Sequence, residues 1–227
     1  MSSTRDPYAP LKERAWREVA EANDQLERGE IDEEQWFDAM SAMVTDPYLA
    51  AQTPWAGSGK SGTQSDWEYS RSHIAHAIDR VGSFFDIGCA NGYLLECLPR
   101  WTTHTIERYG LDISPRLAER ARQRLPDFAG HIYVGNALTW QSGRRFDFIR
   151  TNFDYVPPQR RQQLFENLLA QADRLIVGVF NEHFDERPTE AMVRSWGYRI
   201  AGRSERVNLR KPEMDYCVLW VDSEERA

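Results

Sequence analysis

The sequence predicts an α/β fold: a doubly wound, mostly parallel seven-stranded sheet that ends in an antiparallel hairpin, preceded by a helical extension. Three observations lead there. From Trp67 onward, short runs rich in β-branched and aromatic residues alternate with helical segments, which gives parallel strands joined by right-handed crossovers. The last two runs, Tyr198–Val207 and Asp215–Asp222, have only a short loop between them and so pair antiparallel. Leu11 to about Val44 instead carries apolar residues at helical steps.

The N-terminal part reads as a helical hairpin. Leu11, Ala15, Val19, Ala22 and Leu26 share one face, and Gly29 supplies a stop. A second helix starts at Asp32, which can cap it while Gln35 reaches back. Its apolar stripe is Trp36, Met40 and Met43. The hairpin is too small to hold a core of its own and should lie on the main domain. Residues 45–67, rich in Gly, Ser, Pro and Thr, read as a long loop of the kind that is either functional or a linker. The expected units are 1–66, hairpin and lid loop, and 67–227, the main domain.

In that domain the expected order is helix Trp67–Arg80, strand Ser83–Gly88, a helix near Gly92–Arg100, and strand Arg108–Ile113. Helix Ser114–Leu125 follows, with Ser114 as cap and Pro115 in the first turn. Then come strands His131–Ala137 and Phe146–Phe153, helix Pro157–Ala172, strand Arg174–Phe180 and a helix near Thr189–Trp196.

Bulk properties exclude several classes. The net charge is −7, which argues against broad electrostatic binding to nucleic acid or an anionic membrane. The three cysteines are widely spaced and form neither a CxxC pair nor a zinc pattern, as expected of the reduced cytoplasm. No apolar run approaches the ~20 residues of a membrane span, and the first residues lack a signal-like apolar core. Trp16 and Trp36, read as exposed aromatics, are consistent with a homodimer.

One stretch, "GSGKSG" at Gly57–Gly62, suggests a phosphate loop. The pattern G-x-x-x-x-G-K-[ST] would put its first glycine at position 54, which is Pro54, and no buried strand precedes it. The phosphate reading fails. The effective glycine turn is "FFDIGCANGY", Phe84–Tyr93, which follows a strand and opens a helix. Its two glycines, Gly88 and Gly92, lack the third glycine of a dinucleotide site, which disfavours a nicotinamide oxidoreductase. Asp112, about twenty residues on at the end of the next strand, can accept both hydroxyls of a ribose.

As an ordered set, "DIGCANGY", "GLDIS", "GNALTW" and "FDFIRTNF" resemble the successive motifs of class I S-adenosylmethionine-dependent methyltransferases, over about Trp67–Asp222. More narrowly, the chain is similar to actinobacterial members with a helical N-terminal extension and a Ser-Gly-rich loop. The resemblance implies the Rossmann-like methyltransferase fold and S-adenosyl-L-methionine as cofactor. It places the methionine carboxylate on backbone amides of the Cys89-Ala90-Asn91-Gly92 turn and its ammonium near Asp86. Asp112 would take the ribose, Ile113 would flank the adenine, and Asn136 and Ala137 would meet the adenine edge. Asn136 stands where the family often has Asp, and its carbonyl oxygen can still accept from an amine. Ser61, with Lys60 and Gln64, lies on a loop that could close over cofactor or acceptor.

Acceptors would enter beyond the fourth and fifth strands, at "TNFDYVPP" (Thr151–Pro158) and "NEHFDE" (Asn181–Glu186). Asn152-Phe153-Asp154-Tyr155 is similar to the Asn/Asp-Pro-Pro-aromatic motif of amine methyltransferases but lacks its inner prolines, which weighs against base methylation. His183 is the candidate base because it titrates near neutrality, and Asp154 could orient it or bind an amine. His73 and His76, one turn apart, have no third ligand nearby in sequence and do not make a metal site. The favoured activity is methyl transfer to a small molecule. The alternatives are RNA methylation, centred on Arg144, Arg145, Arg160 and Arg161, and cofactor binding without catalysis.

Overall fold

The seven strands form one sheet in the order β3-β2-β1-β4-β5-β7-β6. β1 (Gly82–Ile87), β2 (Ile106–Asp112), β3 (Ile132–Val134), β4 (Phe146–Asn152) and β5 (Ala172–His183) run parallel, while β6 (Gly202–Val207) and β7 (Met214–Asp222) are antiparallel. The computed structural model describes residues 9–59, 62–183, 186–208 and 214–224. Helices α1 (Ala9–Glu27), α2 (Glu33–Leu49), α3 (Gln64–Arg71), α4 (Tyr93–Trp101), α5 (Pro115–Arg124), α6 (Arg161–Leu169) and α7 (Pro188–Ser195) complete it.

Alternation along the strands builds a core on each face of the sheet. Phe85, Ile87, Ile149, Leu175 and Val177 fill one cluster, whereas Phe84, Phe148, Ile176 and Val218 fill the other. The helical hairpin joins the first: Ala22, Trp36 and Phe37 belong to that cluster. Trp36 is therefore not an exposed dimerisation aromatic. It is 1% exposed and donates its indole N–H to Asn23 Oδ1 at 2.9 Å. Trp16 is 49% exposed.

Several boundaries move for physical reasons. α2 begins at the expected capping box of Asp32 and Gln35 but continues through Pro47 to Leu49, so "TDPY" is helix, not loop. Proline in a last turn removes one backbone bond, and the helix still closes beyond it with Ala50 N–H on Asp46 O at 2.9 Å. α3 starts at Gln64 behind a Thr63–Asp66 capping box and gives way at Ser72 to a 3₁₀ segment, Ser72–Ala77, so the single helix expected over Trp67–Arg80 is broken. The third strand shrinks to Ile132–Val134 because a 3₁₀ turn occupies Pro126–His131. β5 is longer than expected because β7 pairs along most of it. His73 is fully buried, and both His73 and His76 meet Ser204 Oγ, at 3.3 and 2.8 Å. Among the described residues no cluster suits a metal ion, and no helix is long and apolar enough to cross a membrane.

Candidate active site

The carboxyl ends of β1, β2 and β4 converge on a cavity of about 380 Å³. This is where an open parallel sheet offers a crevice. α2 lies across that edge. Its first residue, Glu33, meets Arg160 beyond β4 at 2.5 Å, and Asp46 in its last turn meets Arg116 beyond β2 at 2.6 Å. Trp16 and Val19 of α1 and Phe37, Met40, Met43 and Val44 of α2 line the roof.

The floor is the glycine turn. Gly88 has φ +72°, and a Cβ there would stand 2.6 Å from Tyr155 Cζ, so the backbone passes directly under the tyrosine ring. Gly92, at φ +76°, packs against Ala121 of α5. The amides expected to meet a carboxylate are mostly committed within the turn. Cys89 N–H donates to Leu111 O at 3.0 Å, Ala90 N–H to Asp112 Oδ2 at 2.8 Å, and Gly92 N–H to Cys89 O at 2.9 Å. Asn91 is a tie between turn and lid: its side-chain N–H donates to Pro54 O at 2.8 Å while its carbonyl oxygen accepts from Tyr93 N–H at 3.1 Å. Neither Asn91 nor Gly92 lines the cavity.

Asp112 ends β2 with Oδ2 on Ala90 N–H and Oδ1 on Ser114 N–H, at 2.8 and 2.9 Å. Burial pushes its pKa up to about 6, against the two amides that favour the charged form. Asp86 is 1% exposed and faces Arg150, its register partner on β4, with Oδ1 3.3 Å from Arg150 Nη1. Burial raises Asp86 to about 6, with Arg150 opposing.

The other expected residues fall around this floor. Ile113, Asn136, Ala137, Asn152 and Asp154 line the cavity with Cys89 and Ala90. Asn136 Oδ1 accepts from Leu138 N–H at 2.9 Å, and Asn152 Oδ1 from Asp154 N–H at 3.1 Å, so both also shape their own turns. Asp154 stands 3.8 Å from Arg161, and desolvation outweighs that arginine to raise its pKa. His183 is the last residue of β5, opposite Met214; its side chain, like Ser61 and Lys60, lies outside the described residues.

Polar residues that sequence reasoning did not assign also face the cavity, among them Tyr48, Arg71, Arg150 and Tyr155. Arg71 sits on the helix before β1, its guanidinium 4.9 Å from the Trp67 ring centroid, and burial with the charge of Arg150 lowers its pKa to about 10. Burial pushes Tyr48 up to about 12. Arg150 did leave a signal, a lone charge inside the apolar run "FDFIRTNF". Nothing in the sequence marks Tyr48 as a cavity residue.

Residues 84–172 match a family model described as a methyltransferase domain. No curated protein matches. Among solved structures the chain is similar to the N-methyltransferase NodS of Bradyrhizobium japonicum WM9 in complex with S-adenosyl-L-homocysteine, at 16% identity over 80% of this chain and 98% of that one, TM-score 0.57. It is also similar to magnesium protoporphyrin IX methyltransferase (ChlM) of Synechocystis PCC 6803 with bound SAM, at 15% identity over 80% and 96%, TM-score 0.54. The O-MT segment of StiE matches at 15% identity over 79% of each chain, TM-score 0.55. The fold is that of class I methyltransferases, and the match to a methyltransferase domain falls on its central part, residues 84–172.

Proposed function

We propose that this protein transfers the methyl group of S-adenosylmethionine to a small-molecule acceptor. The observation that carries the reading is the roofed cavity in which the Gly88 turn and the Asp112 carboxylate meet. The donor set fits the cofactor. Asp112 has lone pairs left for two ribose hydroxyls, and Ile113, Asn136 and Ala137 wall the side where the adenine would lie. Because the turn's amides are largely committed, the Arg71 guanidinium is the better partner for the methionine carboxylate. When bound, the cofactor supplies a methyl group on a cationic sulfur, already activated for displacement. What the chain adds is alignment and exclusion of water beneath α2. NodS, ChlM and the StiE O-MT segment, each a methyltransferase or O-MT by name, support the reading at the level of fold.

The RNA alternative is disfavoured by charge placement. Arg144, Arg145, Arg160 and Arg161 lie 3.7, 2.6, 2.5 and 3.8 Å from Glu107, Asp173, Glu33 and Asp154, so the arginines that would form a basic face are matched by carboxylates. The test is calorimetric titration with S-adenosylmethionine and its demethylated product, beside Asp112→Ala and an NADH control. Binding that weakens about tenfold or more in the variant is expected from the loss of charge-assisted hydrogen bonds. Absence of binding to either methionine ligand by folded protein would sink the reading, and an NADH signal would restore the oxidoreductase.

A further inference from the structure

We propose that the methyl acceptor is an apolar molecule presenting an oxyanion, such as a phenolate or carboxylate, to the Tyr155 hydroxyl backed by Arg150. The inference rests on the cofactor reading above and names the acceptor class for that site. It starts from a hydrogen bond whose direction is fixed. A guanidinium can only donate, so at 3.0 Å the Tyr155 oxygen accepts from Arg150 Nη1. The phenol must therefore aim its own proton elsewhere, and among the described residues nothing receives it. Arg150 itself is 4% exposed, with a buried Nε that has no partner among the described residues. Its charge is balanced by Asp86 at 3.3 Å. Cation, phenol and proton thus form a directed donor beside the turn at Gly88, on which the ring is packed.

The charge around the donor argues against a protonated amine. Arg71 faces the same cavity as Arg150. Asp86 is taken by Arg150, and Asp112, whose remaining lone pairs go to the ribose, by the Ala90 and Ser114 amides and the cofactor. Asp154 is half exposed, near Arg161. A hydrogen bond from a phenol polarised by a guanidinium strengthens as its acceptor becomes negative, so the arrangement favours an oxygen that has already lost its proton to solvent. Trp16, Val19, Phe37 and Met40 on the roof offer such a molecule an apolar body contact. In the reaction the acceptor oxygen forms the O–C bond as the donor's C–S bond breaks, and the C–S electron pair stays on sulfur. The products are a methyl ether or ester and neutral S-adenosylhomocysteine.

The test uses full-length protein saturated with S-adenosylhomocysteine and two probes of one shape and opposite charge, 2-naphthoate and 2-naphthylmethylammonium. Calorimetric titration should show naphthoate binding about tenfold or more tighter than the cation, as expected for a charge-assisted bond. Tyr155→Phe should remove about three- to tenfold of that preference by deleting one donor. Arg150→Met alone leaves Asp86 buried and unpaired, so the charge-balanced pair Asp86→Asn with Arg150→Met is the second variant, and it should erase the preference. Each variant is judged only on protein shown folded by circular dichroism. Cation binding equal to or tighter than naphthoate, binding of neither probe, or an unchanged preference in Tyr155→Phe overturns the oxyanion proposal. Failure of the wild-type chain to bind S-adenosylhomocysteine instead overturns the cofactor reading and takes this inference with it.

Discussion

A side chain at position 88 would collide with the Tyr155 ring, and the backbone there is left-handed at φ +72°. Gly88→Ala should therefore cost about 1–3 kcal/mol, from the strained dihedral and the displaced ring. Chemical denaturation beside the wild type checks this, and an unchanged midpoint would mean that the ring moves freely. Asp112 makes a second residue-scale prediction. Its pKa is about 6 in the fold against 3.8 for the unperturbed group, so the folded state holds the proton more tightly than the unfolded chain. Its contribution to stability is present below pH 3.8 and lost as pH rises through about 6, a change of roughly 3 kcal/mol. Cofactor affinity should run the other way, rising from pH 5 to about pH 7 as the carboxylate that accepts the ribose ionises. A pH-independent Kd over that range would remove Asp112 from the ribose. At this scale Gly88 and Asp112 were legible because a strand, a glycine turn and a carboxylate at the next strand end are local patterns. The Asp86–Arg150 pair was not, since it is a register relation between residues 64 apart in the chain.

α2 shows which contacts hold an element and which only accompany it. Its end ion pairs, Glu33–Arg160 and Asp46–Arg116, are solvent-exposed, with Asp46 and Arg116 side chains 78% and 65% accessible. Exposed pairs of this kind contribute about 0–1 kcal/mol. Trp36, by contrast, is 1% exposed in the core cluster and hydrogen-bonded to Asn23. We expect Asp46→Ala to shift the unfolding free energy by less than about 1 kcal/mol and Trp36→Ala to cost about 3–5 kcal/mol. If the two variants unfold alike, the hairpin is not anchored through its tryptophan. The start of α2 was legible from Asp32 and Gln35 because a capping box is a short-range signal. Its end was not. Proline at 47 argues locally for a stop, yet the helix closes one turn beyond it with Ala50 N–H on Asp46 O.

For the molecule as a whole, the roof and the sheet should respond differently to ligand. The alternating strands that made the sheet legible are buried on both faces and hydrogen-bonded whether or not the cavity is filled. The loop that follows α2, which the sequence left open between lid and linker, is joined to the glycine turn by the Asn91 side-chain N–H on Pro54 O and to α3 by the Trp67 indole N–H on Ser58 O at 2.6 Å. A ligand spanning Asp112 and the Gly88 turn would touch the inner face of α2 as well as the floor. Binding at a hundredfold excess over Kd stabilises the folded state by about 2.7 kcal/mol, and amides whose exchange needs the roof to open should slow accordingly. Hydrogen exchange with saturating S-adenosylhomocysteine should thus slow residues 37–58 and 88–92, while Phe84, Phe148 and Ile176 exchange as slowly as before, apart from the global gain. If the glycine turn alone is protected, the α1–α2 hairpin is not a cover for the cofactor, and its Trp16–Met40 surface would have to be explained by the acceptor alone.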